Sequence, residues 1–303
     1  MASTPILPID LNFQGRTNTI AAYLLRHSTG LVLVESGPGS TVSTLQNVLA
    51  TQGFSLRDIT HVLLTHIHLD HAGAAGFLAR QGAQILVHPV GAPHMLNPEK
   101  LLSSATRIYG EQMGPLWGDF LPVPPEKLTT LEDNQEVVIG ALRLRALHTP
   151  GHAEHHIVYQ FEDLCFSGDV GAVRIPGHPY LRLPFPPPEF HLEKWRATVA
   201  RLQGLGFRRI APTHFGIFDD VDWHFQAMLR VLDEAERWMT ATFPAEPPAD
   251  LLHEQFISWM STQARTAGLS EAEIEAYRLA NPLGMSVDGL LRYWKKYRSQ
   301  ALS

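Results

Sequence analysis

Three histidines and an aspartate crowd into six positions of one short stretch, His66-Ile-His68-Leu-Asp70-His71. Imidazoles and carboxylates are costly to bury without partners, so the cluster needs either water or a cation. In an extended chain residues two apart share a side, which turns His66, His68 and Asp70 together and His71 away. A turn at Asp70-His71 leading into a helix returns the fourth group to the same cavity. That spacing makes sense if two centres share the loop. Neutral imidazole and carboxylate suit zinc, and three protein ligands with an open position define a catalytic rather than a structural site.

Such a loop must be held by regular elements on both sides. "ITHVLLT" reads as a strand delivering the chain to His66, and "GAAGFLARQG" as the short helix after it. Upstream, "IDLNF", "NTIAAYLLR" and "GLVLVES" are β-rich runs separated by turn signals. "STVSTLQNVLATQG" is an amphipathic helix with a hydroxyl cap and a glycine stop. Downstream come the strand "AQILVHP", a helical and loop-rich stretch over 91–128, and the strand-like runs "EVVIGALRLRAL", "HIVYQF" and "LCFSG". A proline-dense loop from Pro176 to Pro188 precedes the helix "EKWRATVARLQGLG" and a last strand, "RRIAPTH". From residue 221 the pattern turns helical: Phe225, Met228, Leu229, Leu232 and Met239 fall at a helical period. The organisation is therefore a β-rich α/β region over 1–220 and a C-terminal helical region over 221–303, serving as lid, substrate clamp or dimer contact.

Composition narrows the partners. A chain of 303 residues with a net charge of −6 lacks the basic surface of a nucleic-acid binder. Cys165 is the single cysteine, so no internal disulfide exists and a cytoplasmic setting is expected. No basic and then apolar leader opens the sequence, and no apolar run approaches a membrane span. The expected partner is a small-molecule substrate, with no membrane or nucleic acid; a homodimer fits the helical region.

"THIHLDHAG" resembles the signature of the metallo-β-lactamase superfamily, and the resemblance runs over roughly residues 18–216. It implies an αββα four-layer sandwich of the α/β (α+β) class, with ligands on loops along one sheet edge and the helical region as an annex. It also implies three further ligands, which "HTPGHAEHH", "CFSGDVG" and "APTHFG" supply as His152, Asp169 and His214. By that resemblance His66, His68 and His152 hold one divalent ion, and Asp70, His71 and His214 hold a second. Asp169 bridges them, and Asp70 also orients or deprotonates the nucleophile. Zinc is the expected metal, with iron or manganese as alternatives. The implied activity is hydrolysis of an ester, thioester or similar acyl bond by a hydroxide shared between the ions. Two divalent cations outweigh two aspartates and a hydroxide, which favours an anionic transition state. An aspartate at the bridging position and the pairing of "TPGH" with "GD" point to the glyoxalase II and lactonase branches. "GDVGAVRIP" offers no tyrosine after Asp169, which counts against a lactonase. The competing activities are a mononuclear iron persulfide dioxygenase, whose two histidines and one aspartate suit O₂ chemistry, and a phosphodiesterase.

Other residues carry weaker expectations. Relatives often read Asp-Thr-Gly where this chain has Glu35-Ser36-Gly37, a position that usually supports the ligands or the loop. His148, His155 and His156 are candidates for backing the ligands by hydrogen bonds. His61 and His88 are expected to be satisfied by backbone. His94, His178, His191, His224 and His253 are assigned surface or packing roles, and Cys165 is buried filler. Tyr180 and Arg182, on the proline-rich loop, are candidates for substrate contact, against the reading of a stiff packed connector. Tyr109, Trp117 and Phe120 line either a pocket or a subunit contact. The basic run "RYWKKYR" from Arg292 to Arg298 is a solvated face favoured by the dipole at a helix end.

Overall fold

The computed structural model describes residues 5–299; the outer ends of the two ranges above, 1–4 and 300–303, lie outside them. The chain opens with strands β1 (Ile6–Asp10), β2 (Ala21–His27) and β3 (Gly30–Val34), then helix α1 (Val42–Thr51) and β4 (Ile59–Leu63). Helices α2 (Leu69–Ala72) and α3 (Ala75–Arg80) lead to β5 (Gln84–Val87), and α4 (Ala92–Leu96), α5 (Glu99–Tyr109) and α6 (Met113–Trp117) to β6 (Leu128–Thr130). These strands form one sheet in the order β1-β2-β3-β4-β5-β6, antiparallel to β3 and parallel beyond it. Parallel neighbours need crossovers, and the helices between β3 and β6 supply them.

A second sheet follows from β7 (Glu136–Ile139), β8 (Leu142–His148), β9 (Ile157–Phe161) and β10 (Leu164–Phe166). After helix α7 (Leu192–Gln203), β11 (Arg209–Ala211) adds parallel to β10, giving the order β11-β10-β9-β8-β7. The single run expected over "EVVIGALRLRAL" is thus a hairpin. Gly140 sits at φ 59° and turns the chain there, a conformation glycine adopts at little cost.

Period-two alternation assigns each side chain to a layer. In β2, Ala21, Tyr23 and Leu25 face the second sheet, while Ala22 and Leu24 face helices α1 to α6. In β9, Ile157, Tyr159 and Phe161 meet the first sheet, and Val158 turns to the opposite layer. Helices α8 (Val221–Thr242), α9 (Ala249–Thr266), α10 (Glu271–Ala280) and α11 (Leu283–Tyr297) complete the chain. The apolar faces of α8, α9 and α11 join the layer over the second sheet, where Met228, Leu232, Phe256 and Leu290 share one cluster with Leu147, Val158 and Trp195, whereas α10 packs Ile274 and Tyr277 with Val173 in a separate one. Burying each such side chain fully contributes about 1.5–3 kcal/mol, so the annex is fastened to the sheet by its own core. Among the described residues no helix is long and apolar enough to cross a membrane.

One histidine of that junction is a buried hydrogen-bond hub. His224 Nε2 donates to the Gly171 carbonyl at 2.7 Å, and its Nδ1 lies 3.3 Å from Arg174 Nη1, which can only donate. Arg174 is itself paired with Asp220 and lies over the rings of Phe218 and Trp223. Burial first, and then the Arg174 charge, push His224 down to about 4. An unfolded histidine titrates near 6.5, so between those two values only the unfolded chain takes the proton. Stability is therefore complete above about pH 6.5 and lost as the pH falls toward 4. His224→Gln keeps both hydrogen bonds without titrating. Urea unfolding at about pH 7 and about pH 4.5 should show an acid loss smaller by roughly 2–3 kcal/mol in the variant; equal losses would contradict the assignment.

Candidate metal centre

All seven ligand candidates leave strands at the same edge of the sandwich. His66 and His68 follow β4, and Asp70 and His71 lie in the one-turn helix α2. His152, Asp169 and His214 follow β8, β10 and β11. Two glycines make the approach close. A Cβ on Gly168, at φ 52°, would meet Thr65 Oγ1 at 2.5 Å, and one on Gly151 would meet Trp195 Cα at 2.5 Å.

The donor atoms fall into two groups. His66 Nε2, His68 Nδ1 and His152 Nε2 converge, with His68 Nδ1 2.9 Å and 3.1 Å from the other two. Asp70, His71 and His214 form the second group, where Asp70 Oδ2 lies 3.5 Å from His71 Nε2 and 3.3 Å from His214 Nε2. Asp169 stands between them. Its Oδ2 is 3.3 Å from His152 Nε2 and 3.9 Å from His66 Nε2, whereas its Oδ1 is 3.2 Å from His71 Nε2 and 3.4 Å from His214 Nε2.

Each imidazole except His68 is fixed from behind at Nδ1. His152 donates to the Pro184 carbonyl at 3.1 Å, and His214 to the Thr19 carbonyl at 2.6 Å. His71 Nδ1 meets Glu35 Oε1 at 2.9 Å, and His66 Nδ1 meets Thr65 Oγ1 at 3.0 Å. A donor at Nδ1 leaves the Nε2 lone pair aimed at the shared space, which is how metal-binding histidines are oriented. Glu35 gathers more than His71: it accepts from the Thr65 amide and from the hydroxyls of Thr65 and Thr213. Thr65 and Thr213 were given no role of their own, although each directly precedes a ligand candidate in the quoted runs, and that adjacency is the signal that would have found them.

Charge is distributed unevenly. Burial, the largest influence on both His66 and His152, lowers their basicity, His152 to about 3. Burial acts the same way on His71, but the Asp70, Asp169 and Glu35 carboxylates outweigh it and raise that imidazole well above its usual range. His214, also opposed by burial, is raised to about 10 by Asp169 and Asp70. Burial would lift Asp70, yet His71 and His214 bring it down to about 2. Even so, His71 Nε2 and Asp169 Oδ1 are buried without a hydrogen-bond partner. Orphan atoms amid converging imidazoles and carboxylates fit divalent cations, and binding them must displace protons.

Of the three flanking histidines, His156 and His155 reach the ligand loops. His156 Nε2 accepts from the Val170 amide beside Asp169, and His155 lies 3.5 Å from the Ile67 amide and 3.3 Å from Glu189. His148 turns away to the Leu131 carbonyl. A cavity of about 420 Å³ opens over His68, Asp70, His152, Asp169 and His214. Tyr109, Trp117 and His94 line it, whereas Phe120 packs into the core behind. Neither Tyr180 nor Arg182 lines it. Val173 and Arg182 exchange backbone hydrogen bonds that turn the loop toward α10, where Tyr180 packs edge-on against Tyr277. Arg182 is fully buried, its guanidinium nitrogens make no hydrogen bond, and it lies 5.5 Å from the Tyr277 ring. In "RYWKKYR" Arg292, Lys295 and Lys296 are exposed, while Arg298 is held by Glu193 and Glu236.

Comparison with known proteins places these features in a family context. The family model described as metallo-beta-lactamase superfamily matches residues 16–214. A metallo-beta-lactamase fold-containing protein of Sulfurisphaera tokodaii, ST1585, is 25% identical over 205 residues, covering 65% of this chain and 74% of that one. An atrochrysone carboxyl ACP thioesterase of Cryptosporiopsis is 22% identical over 285 residues, 89% of this chain and 74% of its own. The crystal structure of ST1585 superposes with a TM-score of 0.64 at 20% identity, covering 95% and 99% of the two chains.

Two expectations follow from the site. Glu35→Gln keeps the shape but opposes an amide to donors that need an acceptor, so bound metal should fall about 10–100-fold in affinity. Metal titration of the folded variant, with circular dichroism as the control, checks this; unchanged affinity would remove Glu35 from the centre. Arg182→Met replaces an unpaired buried cation by an apolar chain and should raise the unfolding free energy by about 1–3 kcal/mol. Chemical denaturation measures it, and a clear destabilisation would show that the guanidinium is compensated.

Proposed function

Because the chain belongs to the metallo-beta-lactamase superfamily and is a metal-dependent hydrolase, we propose that it cleaves the acyl bond of a small-molecule ester or thioester over a pair of divalent cations, zinc by preference. The observation that carries this reading is Asp169, whose two oxygens turn to two different groups of imidazoles. His66, His68, His152 and Asp169 Oδ2 would hold one cation; Asp70, His71, His214 and Asp169 Oδ1 would hold the other. Bound there, such cations would supply Lewis acidity and would bring the pKa of water down toward neutrality.

The protein's own groups do the rest. Asp70 is the ligand whose carboxyl is most open to the cavity, at 21% exposure against 6% for Asp169. In this reading it orients the nucleophile or carries its proton toward the leaving group. The backed imidazoles hold the ligand geometry without reorganising. Walls of apolar side chains exclude water and strengthen the field of the centre. A thioester is the favoured bond, since a thioesterase is among the relatives that match most of the chain. A cytoplasmic setting belongs to the same proposal, with Cys165 as a reduced and buried thiol.

Purified protein should contain two zinc ions per chain and hydrolyse aryl esters or thioesters in a chelator-sensitive manner. Asp169→Ala and His68→Ala should remain folded, bind less metal and fall to the chelated background. Full turnover by a metal-free Asp169→Ala variant, or one iron per chain with oxygen consumption, would overturn the proposal.

A further inference from the structure

The cavity above the candidate ligands is polar on its floor and mostly apolar on its walls, which also carry Lys100, Glu189 and Arg278. One wall comes from α5, α6 and the segment before β2, and it includes Phe13, Ile108 and Trp117. Phe13 and Trp117 stack there with ring centroids 5.5 Å apart. The facing wall comes from the proline run and the start of α11, and it includes Pro186 and Met285. Tyr109 Oη reaches Met285 Sδ at 3.3 Å, joining the two walls. Ile108 lines the cavity yet remains 51% exposed, an apolar side chain left in contact with solvent. A volume of about 420 Å³ is in the range of small-molecule sites. It is far more room than a reacting carbonyl needs.

We propose that this chamber takes a bulky apolar arm of the substrate, of the size of a decanoyl or naphthoyl group, and that this arm determines specificity. The proposal rests on the acyl-hydrolase reading and adds the chemical class of the substrate. The arm lies against Ile108 and Trp117 on one side and Pro186 on the other, and its reacting carbonyl stands over Asp70 and Asp169. Rigid proline and aromatic faces lose little conformational freedom on contact, so the burial of each methylene is expressed almost fully in binding. The same apolar arm can sit on the acyl side or on the leaving-group side of the bond, and two substrate series separate these cases.

Thioesters of N-acetylcysteamine carrying acetyl, hexanoyl, decanoyl and naphthoyl groups form the first series. Acetate esters of alcohols of the same sizes form the second. In one series kcat/KM should rise by up to about fourfold per added methylene, and at least tenfold from the smallest member to the largest. Ile108→Asn, at a half-exposed position that tolerates the change, should lower kcat/KM for the favoured large substrate at least fivefold, through KM. Values flat or falling with size in both series would overturn the chamber while leaving the hydrolase reading intact. Calorimetry of the neutral amides decanamide and naphthamide gives a readout independent of turnover. Binding with a negative heat-capacity change supports the chamber even if no substrate is hydrolysed, an outcome that would sink the hydrolase reading alone. Absence of any such binding overturns the chamber whatever the rates show.

Discussion

A carboxyl group that never faces solvent holds this site together. Glu35 adopts φ 67°, a region where a non-glycine residue is strained, and it is fully buried at the end of β3. Four hydrogen bonds repay that arrangement, from the Thr65 amide and hydroxyl, from His71 and from Thr213. Those partners belong to the chain after β4, to α2 and to the chain after β11, so one acceptor ties both sheets to the ligand loops. Leaving a buried donor or acceptor unsatisfied costs about 1–3 kcal/mol, and here the loss would fall on three loops at once. The tyrosines between the sheets act in the same direction: Tyr159 donates to the Leu64 carbonyl, and Tyr23 to that of Pro212.

On that frame the candidate ligands take up an arrangement that divalent cations fit. Imidazole lone pairs and carboxylate oxygens point inward at 3–4 Å from one another, a spacing that repels unless positive charge lies between. Protons on His71 and His214 can supply some of it, but they leave Asp169 Oδ1 unpartnered. Geometry, orientation from behind and charge balance therefore point the same way, which is the consistency expected where local sequence and global fold agree.

Much of this was legible in the sequence because each ligand sits in a short run with its own glycine or proline punctuation. The strand before His66 and the helical period after residue 221 were equally plain. What escaped reading has physical reasons. The β7–β8 hairpin hides in one apolar-rich run whose only turn signal is Gly140. Glu35 reads as a departure from Asp-Thr-Gly, and only its burial shows that the longer side chain reaches His71. Thr65 and Thr213 lie two residues beyond β4 and β11, each in the shadow of the histidine that follows it. Tyr180 and Arg182 lie between two ligands in sequence, yet the backbone pairing of Val173 with Arg182 folds that loop back toward α10, and chain proximity failed to become spatial proximity. The walls of the cavity come from segments far apart along the chain, so no window of sequence contains them.

The Pro184 carbonyl that fixes His152 is only two residues from Pro186, which lines the cavity over the candidate ligands. Reshaping that wall therefore disturbs an imidazole, and with it the affinity for metal. The opposite wall, α5 and α6, supplies none of the seven candidate ligands. Exchange of side chains is thus channelled to one side of the cleft, where it leaves the converging imidazoles undisturbed, while the proline side is restrained by its second duty.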